Sequence, residues 1–190
     1  GRGWEQAVEL VSPAYAACLE HDGWAVYQRF VYALHQSCLN HLLKRCREMI
    51  LISSPAAVRF PQAVKGLLEK GLELRDRYQQ GRISEHGLWT AAGRLQAQLG
   101  RLLERSWRTE DNRRLAKHLR RQEPHLFTFL HCPGVEATNN RAERALRPAV
   151  IARKVWGGNR TANGAQTQQI LASVLATCRQ QGKDAFQRLV

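Results

Sequence analysis

Between residues 56 and 131 apolar side chains recur at helical spacing, and no other feature restricts the fold as much. Val64, Leu67, Leu68, Leu72 and Tyr78 fall on one stripe, and Leu88, Ala92, Leu95, Leu99, Leu102 and Leu103 on a second. Gln80-Gly81-Arg82 interrupts the pattern, and Ser84 offers a side-chain cap for the second helix. The pattern predicts an antiparallel helical hairpin whose leucines are core rather than chemistry. Pro124 should end or bend the helix that follows, and Cys132-Pro133-Gly134 breaks the chain again.

The segment before the hairpin is of another kind. Trp4 to Leu10 reads as a short amphipathic helix. The run from Tyr15 to Asp22 fits a buried strand that delivers Asp22 to its C-terminal end, but its alanines fit a helix nearly as well. Asp22-Gly23 is a turn signal, and Arg29 to His35 (RFVYALH) reads as a strand. His35, Cys38 and His41 stand at three-residue spacing with Cys46 beyond them. Those are zinc-ligating residue types, yet the spacing is not that of a standard finger and no second Cys-x-x-Cys pair exists.

At 190 residues the chain has room for one domain, or one domain with a helical insertion, and its 44% hydrophobic content is enough for a packed core. A formal charge of +13 points to a polyanionic partner. Residues 101–121 alone carry eight cations against three acids, a density suited to phosphate contact or to a solvated face. Five scattered cysteines suit a reducing cytosol better than a disulfide framework. No run of 18 apolar residues suggests a membrane span. The first residue is Gly rather than Met, so these residues are expected to belong to a longer polypeptide.

Thr138 to Gly164 sets one carboxylate, Glu143, among six cations: Arg141, Arg144, Arg147, Arg153, Lys154 and Arg160. A helix is expected from about Asn140, with a kink or stop at Pro148, a turn at Gly157-Gly158-Asn159 and a second helix near Gly164 capped by Asn163 or Thr161. In that second helix Ile170, Val174 and Leu175 should face inward, with Gly182 closing it and a short helix starting near Asp184. Glu143 has two readings. Asn140-x-x-Glu143 resembles a capping box and Glu143 can pair with Arg147, or the acid is a metal ligand beside a polyanion.

The string TNNRAERALRPAVIARKVWGGNRTANGAQTQQILASVLATCRQQG resembles the C-terminal catalytic segment of the insertion-sequence-66 family of DDE transposases. There a TNN-x-AER-x-LRP motif carries the last acid of the triad, so the resemblance implies that Glu143 is that acid. HDGWAVYQRF resembles the same family's D-G-[YW]-x-x-Y motif, with Asp22 as the middle acid and Gly23, Trp24 and Tyr27 in register. The family also has a C-x-x-H-x-x-R stretch, similar to Cys38, His41 and the nearby Lys44-Arg45, which implies a strand-to-helix junction near the DNA path without a metal.

The resemblance covers roughly residues 14–53 and 130–190. It implies a mixed α/β, predominantly helical fold, an incomplete ribonuclease H-like domain with a helical insertion between the second and third acids. The segments would be a partial core (1–55), the hairpin (56–131) and the catalytic segment (132–190). Implied with it are two Mg²⁺ ions, or Mn²⁺ in their place, held by Asp22 and Glu143, and metal-dependent DNA strand cleavage and transfer.

DNA, both terminal inverted repeats and target, would lie against Arg141, Arg144, Arg147, Arg153, Lys154, Arg160, Lys44 and Arg45. A homo-oligomer assembled on DNA in the cytoplasm, at the nucleoid, would do the work. No Asp precedes Asp22, so the first acid is not among these residues, and alone they are not expected to transpose DNA. Two further readings compete: a non-catalytic, basic DNA-binding remnant of a decayed element, and a basic helical scaffold for RNA or another acidic partner.

Overall fold

The computed structural model describes residues 3–189. The chain forms two compact units, residues 1–139 and 140–190. The described residues are predominantly helical, at 67% helix, with one small two-stranded sheet among them.

In the first unit, α1 (Trp4–Leu10) leads to β1 (Cys18–His21), a 3₁₀ turn (Ala25–Arg29) and β2 (Leu34–Ser37). The strands pair in parallel, from Cys18 opposite Leu34 to His21 opposite Ser37. Of the two readings of Tyr15 to Asp22, the strand is the one adopted, and it ends one residue before Asp22. The strand expected over Arg29–His35 is shifted: it begins only at Leu34 and runs on to Ser37. Parallel neighbours need a crossover. Here residues 22–33 must supply it, so Arg29 and the aromatics around it form the 3₁₀ turn and the loop after it. Trp4 packs at 4.9 Å from the Phe30 ring, with the Arg29 guanidinium 4.2 Å from its own ring centre.

Four longer helices follow: α2 (Leu39–Ile52), α3 (Arg59–Gln79), α4 (Glu85–Glu104) and α5 (Glu110–Gln122). The predicted hairpin is α3 and α4. The chain reverses at Gly81, whose φ of 68° favours glycine, and Ser84 Oγ accepts the Gly87 amide. Of the first stripe Val64, Leu67 and Leu68 are buried, while Tyr78 reaches solvent near the end of α3. From the second stripe Leu88, Ala92, Leu95, Leu99 and Leu103 enter the core. They meet Leu42, Cys46 and Met49 of α2, Leu115 and Leu119 of α5, and Phe127 and Phe129 beyond it. Each buried leucine, methionine or phenylalanine among them contributes about 1.5–3 kcal/mol relative to exposure.

The region of high positive charge is not one helix. It breaks after Glu104 and restarts at Glu110. Arg120 of α5 donates from Nε and Nη2 to the Leu103 carbonyl, an acceptor that the end of α4 leaves without an amide. Pro124 lies in a 3₁₀ turn directly after α5, where its missing amide costs nothing.

The sheet leans on residues 122–130. Gln36 Nε2 donates to the Leu126 carbonyl, Gln36 Oε1 accepts the Phe129 amide, and Thr128 Oγ1 donates to the His35 carbonyl. The Leu39 amide donates to the Ala137 carbonyl and brings the chain back to the end of β2.

The second unit holds α6 (Asn140–Trp156), α7 (Ala162–Gln180) and the short α8 (Phe186–Leu189). The helix runs through Pro148, which was expected to kink or end it. One backbone bond is forfeited, that from residue 148 to the Arg144 carbonyl, and in an exposed stretch solvent can replace it. Gly157 and Gly158, at φ 72° and 89°, turn the chain, and Thr161 Oγ1 accepts the Gly164 amide, so α7 starts at Ala162. Ile170 and Leu175, expected to face inward, are exposed. Val174, also expected to face inward, is half-buried, and Cys178 one turn further on is buried. Gly182, at φ 63°, follows the helix end.

Two glycines separate packing from propensity. A methyl on Gly71 would stand 2.9 Å from Cε1 of the buried Phe127 ring, whereas one on exposed Gly93 would meet nothing within 4 Å. Gly93→Ala should stabilise the protein by about 0.5–1 kcal/mol. Gly71→Ala should destabilise it by about 1–2 kcal/mol despite the same gain in helix propensity. Urea unfolding of both variants checks this, and equal stabilisation would mean that the Phe127 ring yields.

Candidate active site

Asp22 follows the last residue of β1 and is exposed. Its Oδ1 accepts the Trp24 amide at 2.9 Å, a local turn that an Asp at this position readily forms. Gly23 between them has a φ of 86°. A side chain there would be strained by its backbone, and a Cβ would stand 3.1 Å from Cε1 of His118. Both features of the Asp-Gly pair are thus used.

Behind the turn lies a buried polar chain. The Gly23 amide donates to His21 Nδ1 (3.0 Å), His21 Nε2 meets His35 Nδ1 (3.2 Å), and His35 Nε2 meets the Phe30 carbonyl (3.0 Å). One set of tautomers satisfies every member. His21 accepts at Nδ1 and donates from Nε2, and His35 does the same, ending on a carbonyl that can only accept. Both rings are then neutral. Burial, reinforced by His35 and His125, pushes the pKa of His21 down to about 4, with Asp22 opposing the shift. Tyr27 stacks on the His21 ring at 5.3 Å, and His125 lies 5.0 Å from the His35 ring.

From the other side α5 closes on the turn. Gln122 Nε2 donates to the Gly23 carbonyl at 3.3 Å, and Ser37 Oγ donates to Gln122 Oε1 at 2.6 Å. The His118 pKa is lowered by burial first, then by Arg45 and Arg121, and raised by Asp22. Asp22, Arg45 of α2 and Arg121 of α5 therefore all act on His118. Arg121 Nη2 also lies 3.4 Å from His118 Nδ1. Lys44 lies 3.9 Å from Glu48 on an exposed face, where such a pair is worth little.

Cys38 sits at the N-terminal cap of α2, directly after β2, so His35-x-x-Cys38-x-x-His41 spans a strand-to-helix junction. His35 and Cys38 are buried, and His41 is exposed. Both ring nitrogens of His35 are engaged as described. Among the described residues no three His, Cys, Asp or Glu side chains are grouped to hold a metal.

Glu143 lies in the first turn of α6, exposed, as are Arg141, Arg144, Arg147, Arg153 and Lys154 on the same helix and Arg160 in the loop after it. Arg144 and Arg147 border a shallow groove of about 480 Å³ floored by Pro148, Ile151, Val155 and Trp156. Asp22 belongs to the first unit and Glu143 to the second. Sequence reasoning singled out both acids but missed His21, Gln122, Ser37 and His118. The one local signal was His21 beside the Asp-Gly pair; nothing in the string links Gln122 to Gly23, 99 residues earlier.

The family model described as Transposase IS66 family matches residues 1–167. No curated protein and no solved structure matches the chain significantly.

The buried histidines set a pH dependence. An unfolded histidine titrates near 6.5 and folded His21 near 4, so the unfolded chain binds more protons between these values. This contribution is complete above pH 6.5 and is lost as pH falls toward 4, about 2 kcal/mol of it by pH 5. His118 and His125, also lowered by burial, act in the same direction. Urea midpoints at pH 7.5, 6 and 5 should fall steadily, and the fall should be shallower in His21→Leu. A flat wild-type profile would contradict the neutral pair.

Proposed function

This chain belongs to the Transposase IS66 family, and on that premise we propose that Asp22 and Glu143 are the second and third acids of a DDE site that cleaves and joins DNA strands. These acids belong to a ribonuclease H-like catalytic domain whose core segments flank the helical residues 56–131. The observation that carries it is the place of Asp22: an exposed carboxylate at the end of a parallel strand, held in a turn by its own neighbours.

A divalent ion is the family's expected cofactor, and the donors suit Mg²⁺ or Mn²⁺. Such hard ions take oxygen ligands and keep several waters, so one or two carboxylates suffice to hold each. Asp22 offers Oδ2, since Oδ1 receives the Trp24 amide. When bound, the ions supply charge stabilisation for in-line displacement at phosphorus. The chain's own part is positioning. Gly23 and Trp24 fix the Asp22 carboxylate, and Arg45 and Arg121 supply positive charge around neighbouring His118. Arg141, Arg144, Arg147, Arg153, Lys154 and Arg160 hold phosphates without reading sequence. Ile151 and Trp156, in the same groove as Arg144 and Arg147, add an apolar surface for sugar or base. The working form is a homo-oligomer on terminal-repeat and target DNA in the cytoplasm. Among the described residues no helix is long and apolar enough to cross a membrane.

In the full-length gene product, Asp22→Asn and Glu143→Gln should each reduce Mg²⁺-dependent strand cleavage by about 100-fold or more, since each removes several kcal/mol of charge stabilisation. DNA affinity at fixed salt should change little. Arg147→Ala should leave cleavage chemistry intact but reduce the slope of log K against log salt by about 0.9. Retained DNA binding with no metal-dependent cleavage in the wild type would instead identify a binding remnant.

A further inference from the structure

We propose that Gln122 and His21 are positioning residues for Asp22, so that α5 sets where this carboxylate points; the inference rests on reading Asp22 as a metal ligand. The peptide joining Gly23 to Trp24 carries both contacts that matter. Its N–H donates to Asp22 Oδ1 at 2.9 Å, and its carbonyl accepts from Gln122 Nε2 at 3.3 Å. Gln122 therefore grips the same rigid plane that grips the carboxylate. The preceding peptide, between Asp22 and Gly23, is fixed through its own N–H by His21 Nδ1 at 3.0 Å. Asp22 stands between two anchored planes.

The anchors are themselves fixed. Gln122 is fully buried, and Ser37 Oγ, donating to its Oε1 at 2.6 Å, decides which end of the amide faces Gly23. Ser37 ends β2 directly opposite His21, and the Cys38 amide donates to the His21 carbonyl at 2.7 Å. The two strand ends, the turn and α5 form one closed circuit of hydrogen bonds around an exposed acid. Chemistry of this kind, a ligand oriented by groups that never touch the ion, commonly accounts for much of a metal site's affinity. It also gives the helical region between the two acids a task at the site. Arg113, Arg114 and Lys117 of the same helix are exposed, so α5 turns these cations to solvent and an amide to the Gly23 carbonyl.

Mn²⁺ binding to the full-length gene product, followed by electron paramagnetic resonance, tests this alongside thermal unfolding of the same samples. At a temperature where every variant is folded, Gln122→Met should weaken Mn²⁺ about 10-fold. Ser37→Ala, which keeps the Gln122 donor but frees its orientation, should weaken Mn²⁺ in the same direction by less. If Gln122→Met does not fold, Ser37→Ala alone decides. Asp22→Asn should weaken Mn²⁺ most. Unchanged affinity in both Gln122→Met and Ser37→Ala, with Asp22→Asn impaired, would overturn the positioning role and leave the ligand standing. Unchanged affinity in Asp22→Asn would remove the ligand itself.

Discussion

Two parallel strands by themselves leave most of their backbone and buried side-chain polar groups unmet, and such a pair has no independent stability. Here the shortfall is made good by one segment, residues 122–130. His35, Gln36 and Ser37 are all buried in β2, and each is bonded to that segment: to Thr128, to Leu126 and Phe129, and to Gln122. The sheet exists because the end of α5 and the turns after it supply the partners a third strand would otherwise supply. In a low-dielectric interior such a network is costly if any member is missing, so the strands and the helical region are expected to fold together.

That dependence explains why the turn bearing Asp22 is so heavily held. The acid is exposed, yet the residues on either side of it are buried, and their contacts come from β2, from Cys38 at the cap of α2, and from α5. Placing a carboxylate in water while fixing the backbone beneath it avoids the desolvation that a buried charge incurs. Neutral histidines suit the layer underneath. They form a directed chain of hydrogen bonds without adding positive charge that would compete for the acid.

What the string of residues revealed was whatever repeats locally. The hairpin of α3 and α4 follows from the leucine spacing and from Gly81 and Ser84, because helical periodicity reports burial within a few residues. The strand leading to Asp22 reads as strand or helix alike, since alanines and a short apolar run serve both. Aromatic and β-branched residues around Val31 suggested a strand where the chain makes a crossover, a demand imposed by pairing rather than by propensity. Pro148 reads as a breaker, but on an exposed helix one missing hydrogen bond is tolerated. Ile170 and Leu175 show the opposite error, apolar residues that periodicity alone turns inward. The support of Asp22 was least legible of all: His21 meets His35 across 14 residues, and Gln122 reaches Gly23 across 99.

The arginines of α5 carry a lesson about counting charge. Glu110 engages both Arg113 and Arg114, the Leu103 carbonyl occupies Arg120, and Arg121 lies against His118. A guanidinium already engaged within the fold must exchange one partner for another to reach a phosphate, and it gives up the first contact in doing so. Nucleic acid drawn to this helix would therefore displace fewer ions than its basic residues number. The discrepancy between that tally and the ion release is a direct gauge of how much of the chain's positive charge is spent on holding its own shape.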